Sequence, residues 1–240
     1  MTTFQLAHTR SFGSTSIYIN LDEQRSIVNY VYGFSSDSFS YIATVQRANT
    51  SSDLYITKLI RVCQNDKTFK SYTEVELICK YNSAKYNLLQ AARIAKPGKS
   101  LAKALGISVS KDVLFATFSQ GKYGTTDAVN ATAVCIYSLY TIKKIFTHNI
   151  QSCFDGLGNT GPDHLTDRTS CKRTAFSEIR SDYCGNFDFN YPIDGLEPIS
   201  AKAALILNTK VSSITVGVLH DYTVGFIGTQ DGHIIKVITL

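Results

Sequence analysis

The chain has 240 residues, 44% hydrophobic and 18% charged, with a formal net charge of +5. That is long enough for a sizeable core and too apolar for a disordered segment. Its basic residues are scattered, and pairs such as Lys143-Lys144 and Lys172-Arg173 do not form the clustered footprint of a nucleic-acid binder.

Fourteen Tyr, thirteen Phe and many Ile, Val and Thr favour strands. Residues 1–14 are weakly patterned, and Ile17–Ile19 is a short candidate strand. SIVNYVYGF (26–34) and DSFSYIATVQR (37–47) read as two strands joined by the turn residues Ser35-Ser36-Asp37. After the polar turn Thr50–Asp53 come YITKLIRVCQ (55–64) and YTEVELICK (72–80). In the last run Val75, Leu77 and Cys79 alternate with Glu74 and Glu76, the pattern of a half-buried strand. Four consecutive strands with short connections make a propeller-type meander over about 26–80.

The pattern restarts at YNLLQAARIAK (86–96). Its alanines favour helix, but a small-residue innermost strand of a blade fits as well. Ser100–Leu105 suits one helical turn after Pro97-Gly98. Val113–Phe118 and Ala131–Tyr140 are two further strands flanking a polar connection. Ile142, Ile145, Phe146 and Ile150 stand at helical spacing, so a short amphipathic helix is expected there. The second blade is thus assigned to 86–150. Cysteine-rich, turn-rich sequence at 151–198 reads as an insertion. Three strands, 211–221, 222–230 and 233–240, form part of a third blade, with a hairpin signal at Gln230-Asp231-Gly232.

Six cysteines, Cys63, Cys79, Cys135, Cys153, Cys171 and Cys184, stand at wide spacings without a CxxC pair, and the histidines are far apart. Metal chelation is a poor fit, and six cysteines allow fifteen pairings that spacing does not resolve. Two N-glycosylation acceptor patterns, Asn49-Thr50-Ser51 and Asn130-Ala131-Thr132, accompany them and make glycosylation sites of Asn49 and Asn130. Together these features indicate an oxidising, extracellular setting. The N-terminus lacks the apolar core of a signal peptide, and no run reaches the ~18–20 apolar residues of a membrane span. The expectation is therefore an internal piece of a longer secreted or membrane protein. No enzyme is expected: there is no GxSxG, HExxH or P-loop pattern. Asp163-His164 beside Ser170-Cys171 has no spacing that implies a catalytic set. Asp182, Asn186, Asp188 and Asn190 do not match a calcium loop. No cofactor is implied.

The order NYVYGF, YIATVQ, ITKLIRVCQNDKTFKSYTEVELIC, YNLLQAARIAKPGKSLAKALGI, DVLFATFSQGK, AVCIYSL, IQSCFDGLG, DYCGNFDFNYPIDGL and VGFIGTQDGHIIKV resembles the middle-to-late part of a plexin sema domain over about 25–240. The segment 158–171 departs from the family pattern. The resemblance implies an all-β fold, part of a seven-bladed β-propeller with four-stranded antiparallel blades. It implies the disulfides Cys63–Cys184, Cys79–Cys135 and Cys153–Cys171. It also implies an extracellular, ligand-binding segment of a single-pass semaphorin receptor, signalling in axon guidance and cell migration. Its partners would be a semaphorin, a co-receptor and a second receptor copy, with no direct membrane contact from this segment. Alternative carriers of the same fold are a tyrosine kinase of the hepatocyte growth factor receptor kind and a semaphorin ligand. Aromatic and basic residues at a blade rim, Arg47, Lys67, Phe69, Lys70 and Tyr72, are candidate recognition residues.

Overall fold

The computed structural model describes residues 28–49, 52–66, 70–161, 168–175, 178–184 and 192–239. The candidate strand Ile17–Ile19, Lys67, Phe69, Asp163, His164, Asn186, Asp188 and Asn190 lie outside them.

The first blade is an antiparallel meander of β1 (Val28–Ser36), β2 (Phe39–Arg47), β3 (Tyr55–Cys63) and β4 (Thr73–Tyr81). The β1–β2 turn is tighter than the sequence suggests. Ser36 pairs with Phe39, and Asp37 and Ser38 both take positive φ, 47° and 66°. Two left-handed residues match the strand twist of a hairpin, and Asp tolerates that region better than most. β4 is not half-buried. Glu74 is buried on the face opposite Val75 and Leu77, because it has a buried cationic partner described below.

After the short β5 (Ala84–Tyr86), the ambiguous alanine-rich stretch is strand β6 (Leu88–Ala95). It pairs with β7 (Val113–Gly121) from Leu88↔Ser119 to Ala95↔Val113 and lies against β1. The Tyr32 hydroxyl accepts from Ile94 N at 3.0 Å. Close packing of inner strands outweighs alanine's helical preference, as tertiary context commonly does. Helix α1 (Lys99–Ala104) fills the β6–β7 connection.

β8 (Ala128–Ser138) stops earlier than the apolar run suggests. The Ser138 hydroxyl caps the next helix, accepting from Thr141 N at 3.1 Å, which satisfies one of the orphan N–H groups there. That helix, α2 (Leu139–Phe154), is longer than expected and buries Ile142, Phe146, Ile150 and Phe154 on one side. Three two-residue strands follow: β9 (Asn159–Thr160), β10 (Thr169–Ser170) and β11 (Ile193–Asp194). Then comes β12 (Ile199–Leu207), a strand that no sequence signal marked.

β12 decides the architecture. Ile199–Lys202 run parallel to Leu77–Lys80 of β4. Ala203–Leu207 then run antiparallel to β8, from Ala203↔Cys135 to Leu207↔Thr132. The connected order is β1-β2-β3-β4-β12-β8-β7-β6. The second blade is therefore β6-β7-β8-β12, and residues 139–198, helix α2 included, are inserted before its last strand. The third sheet is β13 (Val211–Leu219), β14 (Tyr222–Thr229) and β15 (Ile234–Thr239). Its β13 lies against β6, so β6 has an inner strand on either side. The main core lies between the first two blades and α2, around Leu59, Val75, Leu77, Leu88, Phe118 and Ile142. Full burial of each large side chain there is worth about 1.5–3 kcal/mol.

Candidate recognition surface

The insertion belongs in sequence to the second blade but is fastened to the first. Three disulfides join Cys63 to Cys184, Cys79 to Cys135, and Cys153 to Cys171, with Cα–Cα distances of 5.4, 5.8 and 5.1 Å. The first ties the end of β3 to the insertion. The second lies where β12 crosses from β4 to β8. The third closes the end of α2 onto the residue after β10.

Charge makes a second fastening. Lys58 on β3 bonds Glu74 on β4 at 3.1 Å and also contacts Asp194 on β11. Arg168 reaches the other Asp194 oxygen at 3.0 Å from the exposed side. Gln46 donates to Glu74 at 3.2 Å, and the Tyr72 hydroxyl donates to Glu74 at 2.9 Å. Burial works to lower the Lys58 pKa, but the two carboxylates outweigh it and hold the ammonium above its ordinary range. Burial, then the Glu74 charge, raises the Tyr72 phenol.

The third fastening is aromatic. Arg61 is buried with its guanidinium 4.4 Å from the Phe39 ring and 5.0 Å from that of Phe146 on α2. Its Nε and Nη1 have no hydrogen-bond partner. Burial brings its pKa down to about 10 and pushes neighbouring Tyr41 up to about 12.

These fastenings present the outer side of α2. Between α2 and residues 178–181 lies a hollow of about 410 Å³, lined by Tyr140, Lys143, Lys144, His148 and Ile179 among others. A second hollow of about 170 Å³ shares Tyr140 and Lys143 and reaches Lys96, Lys111 and Asp112. The β1–β2 turn closes this side. Lys143 pairs with Asp37, Ser36 donates to Asp112 at 3.2 Å, and Lys96 bonds Asp112 at 2.6 Å. The Lys143 hydrogen bond and charge hold the Asp37 carboxyl below its usual range. Lys144 lies 4.9 Å over the Tyr140 ring.

The sequence-chosen recognition residues fare differently. Tyr72 is buried against Glu74 and presents nothing to a partner. Arg47 is half-buried, donating to Tyr55 at 3.4 Å. Lys70 is half-buried. Both acceptor asparagines are exposed, but Asn130 lies within β8 rather than in the connection before it. Cys171, once set beside Ser170, is bonded to Cys153. Among the described residues no three His, Cys, Asp or Glu side chains are grouped to hold a metal. No helix among them is long and apolar enough to cross a membrane. The α2 surface escaped sequence reading in part because the β1–β2 turn that closes it lies far off in the chain, Asp37 and Lys143 being 106 residues apart.

The sema-domain family profile matches residues 89–240. The chain belongs to the sema-domain family. This sema chain is 34% identical to Plexin-A3 of Rattus norvegicus over 98% of its length, which is 13% of that relative. It is 33% identical to Plexin-A2 of Mus musculus over 87% of its length, 11% of that protein. The chain thus spans a small part of these relatives. It superposes on the plexin A4 full extracellular region with a TM-score of 0.81 and 30% identity, covering 89% of this chain and 24% of that one. Drosophila Semaphorin 1a, extracellular domains 1–2, gives a TM-score of 0.62 at 18% identity over 94% of this chain and 48% of that one. That second likeness speaks for the fold alone, and the fold is all-β and propeller-type.

Proposed function

We propose that this sema chain is an extracellular ligand-binding segment of a plexin-like receptor. In this reading it binds a semaphorin and takes part in signalling for axon guidance and cell migration. The observation that carries the proposal is the 34% identity to a plexin across 98% of the chain. The 18% identity to a semaphorin gives no comparable support to the ligand alternative. The segment's role is recognition rather than catalysis. A co-receptor and a second receptor copy belong to the same proposal as further partners. So do N-linked glycans at Asn49 and Asn130, and an extracellular position within a single-pass receptor.

The test is binding of soluble semaphorin ectodomains to cells displaying the complete receptor ectodomain that contains this chain. Saturable binding of at least one semaphorin is expected. Failure of every semaphorin to bind a correctly displayed receptor would overturn the reading.

A further inference from the structure

Three lysines that are scattered in the sequence meet on one sheet face. Lys80 lies near the end of β4. Lys85 of β5 stands opposite it on one edge, and Lys202 of β12 stands beside it on the other. Residues in register project from the same side of a sheet, and neighbouring strands lie ~4.8 Å apart. The three side chains therefore form a row that spans ~10 Å at the backbone. All three are exposed.

Like charges set directly opposite one another destabilise a sheet. Among the described residues, none of the three ammonium groups forms an ion pair, a hydrogen bond or a ring contact. The next pair on that face is the buried Ile78 with Ser200, and the turn Asn82-Ser83 follows on the other side. Glu76, the nearest carboxylate on this face of β4, is four residues back, ~13 Å along the strand. Edge protection accounts for a lysine on a short edge strand such as β5. It does not account for Lys80, which is paired on both sides, or for Lys202, whose strand runs on to pair with β8.

The row suits a repeating polyanion. It offers charge without the aromatic or apolar anchor found at the centre of a protein interface. Lysines are point charges on flexible stems, so they can follow anionic groups repeated along a chain. Anionic lipid is concentrated in the cytoplasmic leaflet, which an extracellular segment does not meet. Outside the cell the matching polyanion is a sulfated polysaccharide.

We propose that the row Lys85, Lys80 and Lys202 docks a sulfated polysaccharide. This rests on the extracellular position proposed above and is independent of which protein ligand the receptor takes.

The experiment uses the complete receptor ectodomain as wild type, as Lys80→Gln/Lys202→Gln, as Lys80→Gln alone and as Lys103→Gln/Lys122→Gln. The last pair removes the same charge from exposed lysines outside the row. Each protein is titrated with a heparin oligosaccharide at about 50 and 300 mM salt, and separately with polyglutamate and with a panel of semaphorin ectodomains. Wild type is expected to bind heparin, more weakly at the higher salt. Lys80→Gln/Lys202→Gln is expected to lose at least fivefold in affinity, Lys80→Gln at least twofold, and the control pair less than twofold. Thermal midpoints of the two row variants should match or exceed wild type, since cross-strand repulsion is relieved. No heparin binding by wild type, or an equal loss in the control pair, would overturn the proposal. Polyglutamate binding as tight as heparin, with the same response to the substitutions, would assign the row to an acidic protein and also overturn it. Semaphorin binding reports the receptor reading separately. If wild type binds a semaphorin but no heparin, the row falls alone; if it binds neither, the receptor reading falls as well.

Discussion

Lys58 shows how a residue that looks solvent-facing in sequence becomes structural. It is one cation serving two carboxylates, the buried Glu74 and the partly exposed Asp194. Replacing it with Met keeps the volume but leaves both acids without that partner. Removing one member of a buried ion network typically costs ~3–5 kcal/mol. Urea unfolding of Lys58→Met is expected to show a loss of that order; a loss below about 1 kcal/mol would mean that Arg168 and solvent suffice. Arg61 predicts the opposite. Its guanidinium is buried with two nitrogens lacking hydrogen bonds, so Arg61→Met exchanges cation–π attraction for relief of desolvation. The same unfolding measurement is expected to find it neutral or stabilising. Asp37 gives a pH dependence. Its carboxyl is held below the usual range by the Lys143 hydrogen bond and charge. Its contribution is present above the ordinary aspartate pKa of about 3.9 and fades as pH falls through the lower folded value. Asp37→Asn should flatten the acid limb of stability against pH, and only slightly, since the side chain is largely exposed. None of these partnerships was legible in sequence. Asp37 and Lys143 are 106 residues apart and Lys58 and Asp194 are 136 apart, so local pattern carries no trace of them.

At the scale of elements, legibility followed packing symmetry. β2, β3 and the third-sheet strands carry β-branched and aromatic runs, and they stand close to where those runs lie. β12 was missed because Ser-Ala-Lys-Ala-Ala, residues 200–204, has little strand propensity. Its strand state is imposed by β4 on one side and β8 on the other. α2 was read short because its first turn, Leu139–Thr141, continues an apolar run begun in β8; only the Ser138 cap marks the change. The pairing of the cysteines came with the family resemblance, since six thiols leave fifteen choices. The Cys79–Cys135 bond sits at the crossing that β12 makes between blades. Changing both to Ser is expected to cost ~2–5 kcal/mol, seen as a lower thermal midpoint and lower secretion. Gly98 is a second sensitive joint. A Cβ there would lie 2.5 Å from Asp221 O, so Gly98→Ala should force α1 away from the turn before β14. Faster amide exchange in that turn would report it.

For the whole molecule, the outer side of the third sheet is the conspicuous feature. Leu219, Tyr222, Phe226 and Ile238 share one face there by register and are all well exposed, an apolar row of the kind that a monomer seldom leaves uncovered. The 240-residue chain produced by itself is therefore expected to self-associate in light scattering, whereas a receptor ectodomain containing it is expected to remain monodisperse. The proposed extracellular setting and the stapling of the insertion across two blades both depend on the three disulfides. Peptide mapping of the secreted, unreduced receptor ectodomain checks them together. The expected map links Cys63 with Cys184, Cys79 with Cys135, and Cys153 with Cys171. Free thiols at most of these positions, or a different pairing, would contradict both the extracellular setting and the way the insertion is held.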